Sequence, residues 1–418
     1  MKYIVCLFML ITILKTVFGD CDHQIVESER HKLTNQLFNC GYDSTIIPVK
    51  DHKTAVNVSF NMIVKFIKYD HQSGTLGLDS WLSIHWYDEY LKWNPQDFGN
   101  LREIKVTTDN IWVPDLSVYN RFDQGTEPTV FASTKCIVNF NGLIVCVHPH
   151  HVDALCQADM SKYPFDSQNC TITFGSWVHK GEEVNILHHN PIADTEDLET
   201  DGEWALKKVG VHRNPGHYDF HPNSTYPSIE VSFEIKRMHG SHSATVLIPS
   251  IVIFMLVITS MWVPPDSNER MVLCCVNLIT EFFHLEYISF MIPMKGNKIP
   301  QLMVLGRDSL LLCGFSIVFT IILKNIVLKK TPPPSWISRI VSFVIGCRPG
   351  QIIFLDDTTL KGVAFAKGED DGSTIIDNSE NSVNTGSQDW RVFAKILDRL
   401  IFISYVIVFT VMMVGFIP

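Results

Sequence analysis

Two patterns in this 418-residue sequence could do chemistry. Six cysteines, Cys21, Cys40, Cys136, Cys146, Cys156 and Cys170, fall between Asp20 and Met238. An even number in a secreted segment suits disulfides. Cys136 and Cys146 flank Asn141-Gly142, the strongest short hairpin signal, so proximity favours a bridge between them. Six cysteines allow many other connectivities. The second pattern is polar: Arg270, Asn277, Glu281 and His284 stand in an otherwise apolar stretch. At about 100° per residue they share one helix face, and a polar stripe within a membrane would ordinarily be read as the wall of an ion path. No clustered nucleophile, general base or metal-ligand spacing emerges. An enzyme is therefore not expected, and neither a cofactor nor a metal is called for.

The elements that must position these residues divide the chain. Met1-Lys2 is a basic start, Tyr3 to Leu14 is apolar apart from Thr12, and Val17-Phe18-Gly19 can be cleaved. Residues 1–19 thus read as a secretory signal. Four later apolar stretches are long enough to cross a bilayer: Thr245 to Val263, Met271 to Ile292, Leu302 to Leu328 and Leu400 to Ile417. Lys329, Lys330, Arg339 and Arg348 follow the third and put that loop in the cytosol. The expected domains are an extracellular part (20–238), three membrane helices (239–328), a cytoplasmic loop (329–398) and a fourth helix (399–418). Within the loop, Pro332-Pro333-Pro334 breaks the helix. Trp336 to Ile345 predicts a short amphipathic helix at the interface, and the acidic, Ser- and Asn-rich stretch Gly368 to Gln388 predicts disorder.

The extracellular part reads as strands. Ala55 to Ile67, Cys136 to Val147, Thr171 to Val178 and Ser228 to Ile235 alternate or are β-branched, between clusters of turn residues. Many short strands of this kind predict an all-β sandwich. Asn57, Asn169 and Asn223 each begin a glycosylation triplet on this side. A net charge of −10 argues against a nucleic-acid partner, because duplex binding rests on many Lys and Arg contacts to phosphate.

Thirteen residues separate Cys156 from Cys170, with Tyr163-Pro164-Phe165-Asp166 at the centre. This closely resembles the signature loop of the Cys-loop pentameric ligand-gated channels. Four spans after a β domain is that family's layout. Within the family the sequence resembles the nicotinic acetylcholine receptor branch. Trp81, Trp86 and Trp93 look like its strand of spaced tryptophans. Trp112-Val113-Pro114-Asp115 running to Tyr119-Asn120 looks like its Trp-x-Pro-Asp stretch. Gly175-Ser176-Trp177 stands at the family's interval after the second cysteine, and Trp390-Arg391 to Asp398-Arg399-Leu400 resembles the approach to the last span.

The resemblance implies a Cys156–Cys170 bridge and an agonist box: Tyr119, Trp177, Tyr218 and Tyr226 on one subunit face, Trp81 on the opposite face. The physics suits a quaternary ammonium, which cannot donate hydrogen bonds and is recognised by ring faces. Trp86 and Trp93 are expected in the core instead. Agonist-binding alpha-type members carry adjacent cysteines between the two tyrosines of the capping loop. Here Tyr218 to Tyr226 has none, so the chain resembles a divergent non-alpha subunit.

The resemblance also implies a register for the second span between Pro264 and Pro293. The residues facing the ion path would be Glu269, Val272, Val276, Ile279, Phe283, Glu286 and Phe290, with Glu269 favouring cations at the cytosolic mouth. Val272 to Phe283 is then apolar over about 16 Å, and such a tube gates by dewetting. The polar stripe would lie behind the pore, with Glu281 and His284 paired at i,i+3.

The expected architecture is an extracellular all-β sandwich plus a four-helix transmembrane bundle, assembled with homologous subunits as a homo- or hetero-pentameric ligand-gated channel. The implied partners are a small cationic neurotransmitter, cations and the lipid membrane, with no nucleic acid. The implied location is the plasma membrane, multi-pass, at a postsynaptic or neuronal surface. The alternative is a non-conducting regulatory or structural subunit of a hetero-pentamer.

Overall fold

A computed structural model describes residues 28–123, 130–131, 133–218, 221–292, 298–347 and 378–416. The signal, Cys21, Pro293 and Arg348 lie outside these residues.

A short helix, α1 (Glu29–Phe38), opens the described chain. Its N-cap is Ser28, whose hydroxyl accepts from the His31 amide and satisfies one of the free donors of the first turn. Alternation then takes over. β1 (Val56–Asp70) and β2 (Thr75–Lys92) bury nearly every second residue, as strands with one face on a core must. β3 (Glu103–Thr107), β4 (Leu116–Val118), β5 (Lys135–Asn139), β6 (Asn141–Leu155), β7 (Ser167–Ser176), β8 (Val184–Asp194) and β9 (Glu199–Thr200) follow. β10 (Trp204–Asn214), the short hairpin β11 (His217–Tyr218) with β12 (His221–Thr225), and β13 (Ser228–Arg237) complete the extracellular part.

One sheet runs β3-β5-β6-β2-β1-β8, with β9 added beside β1; the other runs β10-β13-β7-β4. Their inner faces form one core, in which Phe60 of β1 meets Phe174 of β7 at 5.0 Å between ring centres. Trp86 is 1% exposed and edge-on to Trp112 at 6.2 Å, while Trp93 donates through Nε1 to the Leu101 carbonyl at 2.7 Å. Both belong to the core, as expected for these two rings. Cys136 and Cys146 are bonded across the β5–β6 hairpin, and Cys156 is bonded to Cys170. Asn57 and Asn169 are solvent-exposed on β1 and β7.

Among the described residues, four helices are long and apolar enough to cross a membrane. The first enters through a π-helical turn, Ser243–Leu247, into α2 (Ile248–Ser260). α3 (Asn268–Met291) is capped by Ser267 and α4 (Gln301–Val327) follows. After α5 (Ser335–Gly346), the last helix is α6 (Asn378–Phe416). One expectation needs correction. Residues 378–388, read from composition as disordered, belong to α6. The extension has an anchor: Trp390, Val392, Phe393 and Ile396 pack against Ile337, Val341 and Val344 of α5. α5 packs Ile337, Val341 and Val344 on this part of α6 and leaves Trp336, Ile340 and Phe343 exposed.

Candidate ligand site and ion path

Trp177 follows the end of β7, and its ring is 63% exposed. An exposed indole needs a rigid base, and Asp115 supplies it. One carboxylate oxygen accepts from the Ser176 hydroxyl at 2.6 Å, and the other accepts from the Val178 amide at 2.7 Å. The turn around Trp177 is thus clamped on both sides by the aspartate of the Trp-Val-Pro-Asp stretch. The Ser176 hydroxyl also accepts from the His179 amide at 2.9 Å.

Tyr119 sits beside it, edge-on to Trp177 at 6.1 Å, and donates its hydroxyl to the Ser176 carbonyl at 2.6 Å. The ring lies directly on Gly175. A Cβ there would stand 2.2 Å from the phenol, so only glycine admits the tyrosine. Tyr226 closes the capping hairpin, its amide bonded to the Gly216 carbonyl at 3.0 Å. Gly216 has φ +68°, and a side chain there would collide with the Tyr226 carbonyl. Tyr218 is described only by its backbone, in β11. Thr225 ties this hairpin back to the loop after Trp177, through Gly181 N–H to its carbonyl at 2.8 Å and its own hydroxyl to Glu182 at 3.1 Å. The sequence-predicted rings Tyr119 and Trp177 are therefore brought together, with the capping hairpin stitched to the same loop. Trp81 lies elsewhere, on β2 in the other sheet, 47% exposed on its outer surface.

Below, the sandwich meets the helices. The loop joining β1 to β2 caps the end of α3: Gln72 Nε2 donates to the Met291 carbonyl at 3.1 Å, and His71 Nε2 lies 3.2 Å from the same oxygen. These acceptors are the last carbonyls of the helix, which have no partner within it. The Cys156–Cys170 loop sends Met160 and Tyr163 into a cluster with Val246, Ile288, Ile292 and Leu302. Lys298 reaches Asp159 at 2.9 Å, and the Ser161 hydrogen bonds, with that lysine, hold the Asp159 carboxyl down at about 2. Arg237, fully buried, bonds Asp166 at 2.8 Å and also Glu203, locking the loop to the strand that leads into the membrane. None of these contacts except the loop itself was singled out from sequence. Residues far apart in the chain form them, and no local signal marks them.

Within the helices the polar stripe faces inward. Arg270 and Asp398 form an ion pair of 2.7 Å, with Arg270 also donating to the Val263 carbonyl and the Thr320 hydroxyl. Asn277 and Glu281 are buried, and His284 is hydrogen-bonded at 2.7 Å to Ser250 of α2. The expected Glu281–His284 pair is therefore corrected: the histidine turns to α2, because Ser250 offers its hydroxyl across the helix contact. The opposite face carries Val272, Val276, Ile279 and Phe283, each more than half exposed, and Glu269, Glu286 and Phe290 are exposed with them. Among the described residues no group of acidic, histidine and cysteine side chains could hold a metal ion.

Residues 30–239 match the family model described as neurotransmitter-gated ion-channel ligand binding domain. The chain is 26% identical over 426 residues to neuronal acetylcholine receptor subunit beta-3 of Gallus gallus, covering 92% of this chain and 91% of that protein. It is 25% identical over 419 residues to subunit alpha-5 of Pan troglodytes (94% and 87%), and 26% identical over 440 residues to subunit non-alpha-2 of Carassius auratus (95% and 92%).

Proposed function

The chain belongs to the neurotransmitter-gated ion-channel family, as a divergent non-alpha, nicotinic-type subunit in a multi-pass plasma-membrane receptor, and we propose that it takes a small cationic amine at subunit interfaces. Acetylcholine or a close analogue is the candidate ligand. The observation that carries this reading is the clamped, solvent-facing Trp177 with Tyr119 at its edge. A rigidly held indole, 63% exposed in the single chain, offers its ring face to a ligand or to a neighbouring subunit. Tyr226 and Tyr218 would close over the ligand, and Trp81 would meet it from the opposite subunit face.

Ligand capture would draw the β11–β12 hairpin inward. That motion has a physical route to the pore, through the Arg237–Asp166 pair, the Cys156–Cys170 loop and the residues that cap α3. The ion path would be lined by Glu269, Val272, Val276, Ile279 and Phe283. A second reading, a regulatory subunit that conducts little, is favoured by the apolar run from Val272 to Phe283, which would stay dry unless neighbouring subunits add polar rings. Asn57, Asn169 and Asn223 would carry glycans, and the receptor would serve a synaptic or other neuronal surface.

The test is expression of the chain alone and with a nicotinic subunit that has Ser or Thr rings in its second span. Acetylcholine-evoked cation current in the mixed receptor that disappears with Trp177→Ala, at unchanged surface level, supports the reading. Unchanged binding of a quaternary ammonium to Trp177→Ala removes it.

A further inference from the structure

Trp81 is not an empty ring. Lys65 places its ammonium 4.0 Å from the ring centre. The same nitrogen lies 2.6 Å from Asp197, in the turn between β8 and β9. The ammonium is thereby held between a carboxylate and an aromatic face, and the lysine side chain is only 26% exposed against 65% for its aspartate. A free surface lysine would keep its head in water.

The cause lies in the strand. β1 pairs with β2 in register as far as Val64, and the register shifts before Phe66. Lys65 is the extra residue of this bulge. Buried Val64 and Ile67 flank two consecutive half-buried residues, Lys65 and Phe66, where strict alternation would allow only one outward position. Ile63 is directly opposite Trp81, so the bulge delivers the next outward side chain onto that tryptophan. A bulge beside a binding surface commonly re-aims one side chain in this way.

We infer that Lys65 is a specificity-determining residue, a tethered cation on Trp81 that a cationic ligand must displace when this chain supplies the opposite face of an interface. The inference rests on the proposed reading of Trp81 as part of the amine site. An ammonium ligand approaching Trp81 meets a like charge at the place where it would gain its cation–π contact. The chain is then a good principal subunit and a selective complementary one. Small quaternary ammonium ions are disfavoured on that side. Once Lys65 is displaced, Asp197 remains as a counter-charge for the incoming cation.

Full-length receptor at the cell surface, with radiolabelled acetylcholine as the probe, tests this. Lys65→Met keeps the aliphatic stem and removes the charge. It should tighten binding by roughly tenfold, the value of one ring face freed for the ligand. Lys65→Arg, which keeps a cation on the ring, should bind as the parent does. Lys65→Met together with Asp197→Asn should lose part of the gain. Equal affinity for parent and Lys65→Met, in a receptor where Trp177→Ala and Trp81→Ala both abolish binding, overturns the inference and leaves the amine site standing. If Trp177→Ala and Trp81→Ala change nothing, the site reading itself has failed. Absence of binding in both parent and Lys65→Met at normal surface level overturns the inference too, because a freed ring should bind.

Discussion

Arg270 of the second span and Asp398 of the fourth are 2.7 Å apart, and the arginine side chain is wholly buried. This pair turns Arg270 into the packed helices. A guanidinium turned toward the fourth helix and the backbone of Val263 cannot also face a central ion path. The same turn carries Asn277 and Glu281 inward, and leaves Val272, Val276, Ile279 and Phe283 outward.

Breaking one side of that pair should be severe. Asp398→Ala leaves Arg270 buried without its counter-charge, a loss of about 3–5 kcal/mol. Surface biotinylation should show the receptor retained inside the cell. The double change Arg270→Met with Asp398→Leu should recover much of the expression, because an apolar pair of similar volume needs no counter-charge. Failure of the double variant to exceed Asp398→Ala would mean that the pair does more than balance charge.

The rings of the ligand site and those of the core should separate cleanly under truncation. Trp177→Ala removes an exposed side chain and should alter stability by less than about 1 kcal/mol while abolishing amine binding. Trp86→Ala empties a buried position and should cost about 3–5 kcal/mol. Thermal melts beside ligand binding distinguish the two. A large stability loss in Trp177→Ala would assign that ring to packing.

The apolar face of the second span predicts an effect of polarity at its middle. Ile279→Thr in a mixed receptor should ease opening or create leak, since a hydroxyl rewets a narrow apolar turn. Glu281→Gln should change surface level more than conductance, because Glu281 is buried among helices. Single-channel recording checks both. A conductance change from Glu281→Gln with none from Ile279→Thr would reverse the register.

Acid should loosen the sandwich through His150. Burial, with added positive charge from His148 and Arg121, pushes this imidazole down to about 4. The unfolded chain protonates it near 6.5, so between those values the unfolded state holds the extra proton. Stability is full above about 6.5 and falls as pH drops toward 4, by up to about 3 kcal/mol. Melts of parent and His150→Phe across that window should converge at high pH and diverge at low pH. Parallel curves would mean the histidine titrates normally.

The Cys156–Cys170 bridge should contribute about 2–5 kcal/mol. Cys170→Ser should reduce assembly, measured by velocity sedimentation of detergent extracts. Normal pentamer yield would show that the Met160 and Tyr163 contacts alone hold the loop to the helices.

Much of this arrangement was legible in the residues. Alternation marked β1 and β13, Asn141-Gly142 marked the β5–β6 turn, and apolar length marked the four spans. The orientation of the second span was less accessible to periodicity. Arg270, Asn277, Glu281 and His284 share a face, but in a membrane a polar face can serve as channel wall or as adhesive between helices. The partners Asp398, Thr320 and Ser250 lie far away in the chain, so periodicity does not show that this face packs on other helices. The bulge at Lys65 is hidden for a related reason: a one-residue slip leaves no compositional trace, and its effect on Trp81 appears only when the two strands are paired. The helical start of α6 has no signal in its polar, acidic composition; the packing that follows it, Trp390 and Phe393 on α5, comes from a separate segment.

The last helix would also make bilayer thickness a variable of the receptor. It is a single rod of 39 residues, about 60 Å from end to end. About a third of the way along, Trp390 is bonded to the Thr331 carbonyl, and at the far end Phe416 lies 6.2 Å from Phe165 of the disulfide-closed loop. A rod fixed at Trp390 cannot shorten when the surrounding lipid thins; it must tilt. Tilt about Trp390 swings Phe416 sideways against the loop that joins the sandwich to the membrane helices. Lipid composition would thus act as a mechanical input to the receptor, delivered to that junction without a binding site of its own.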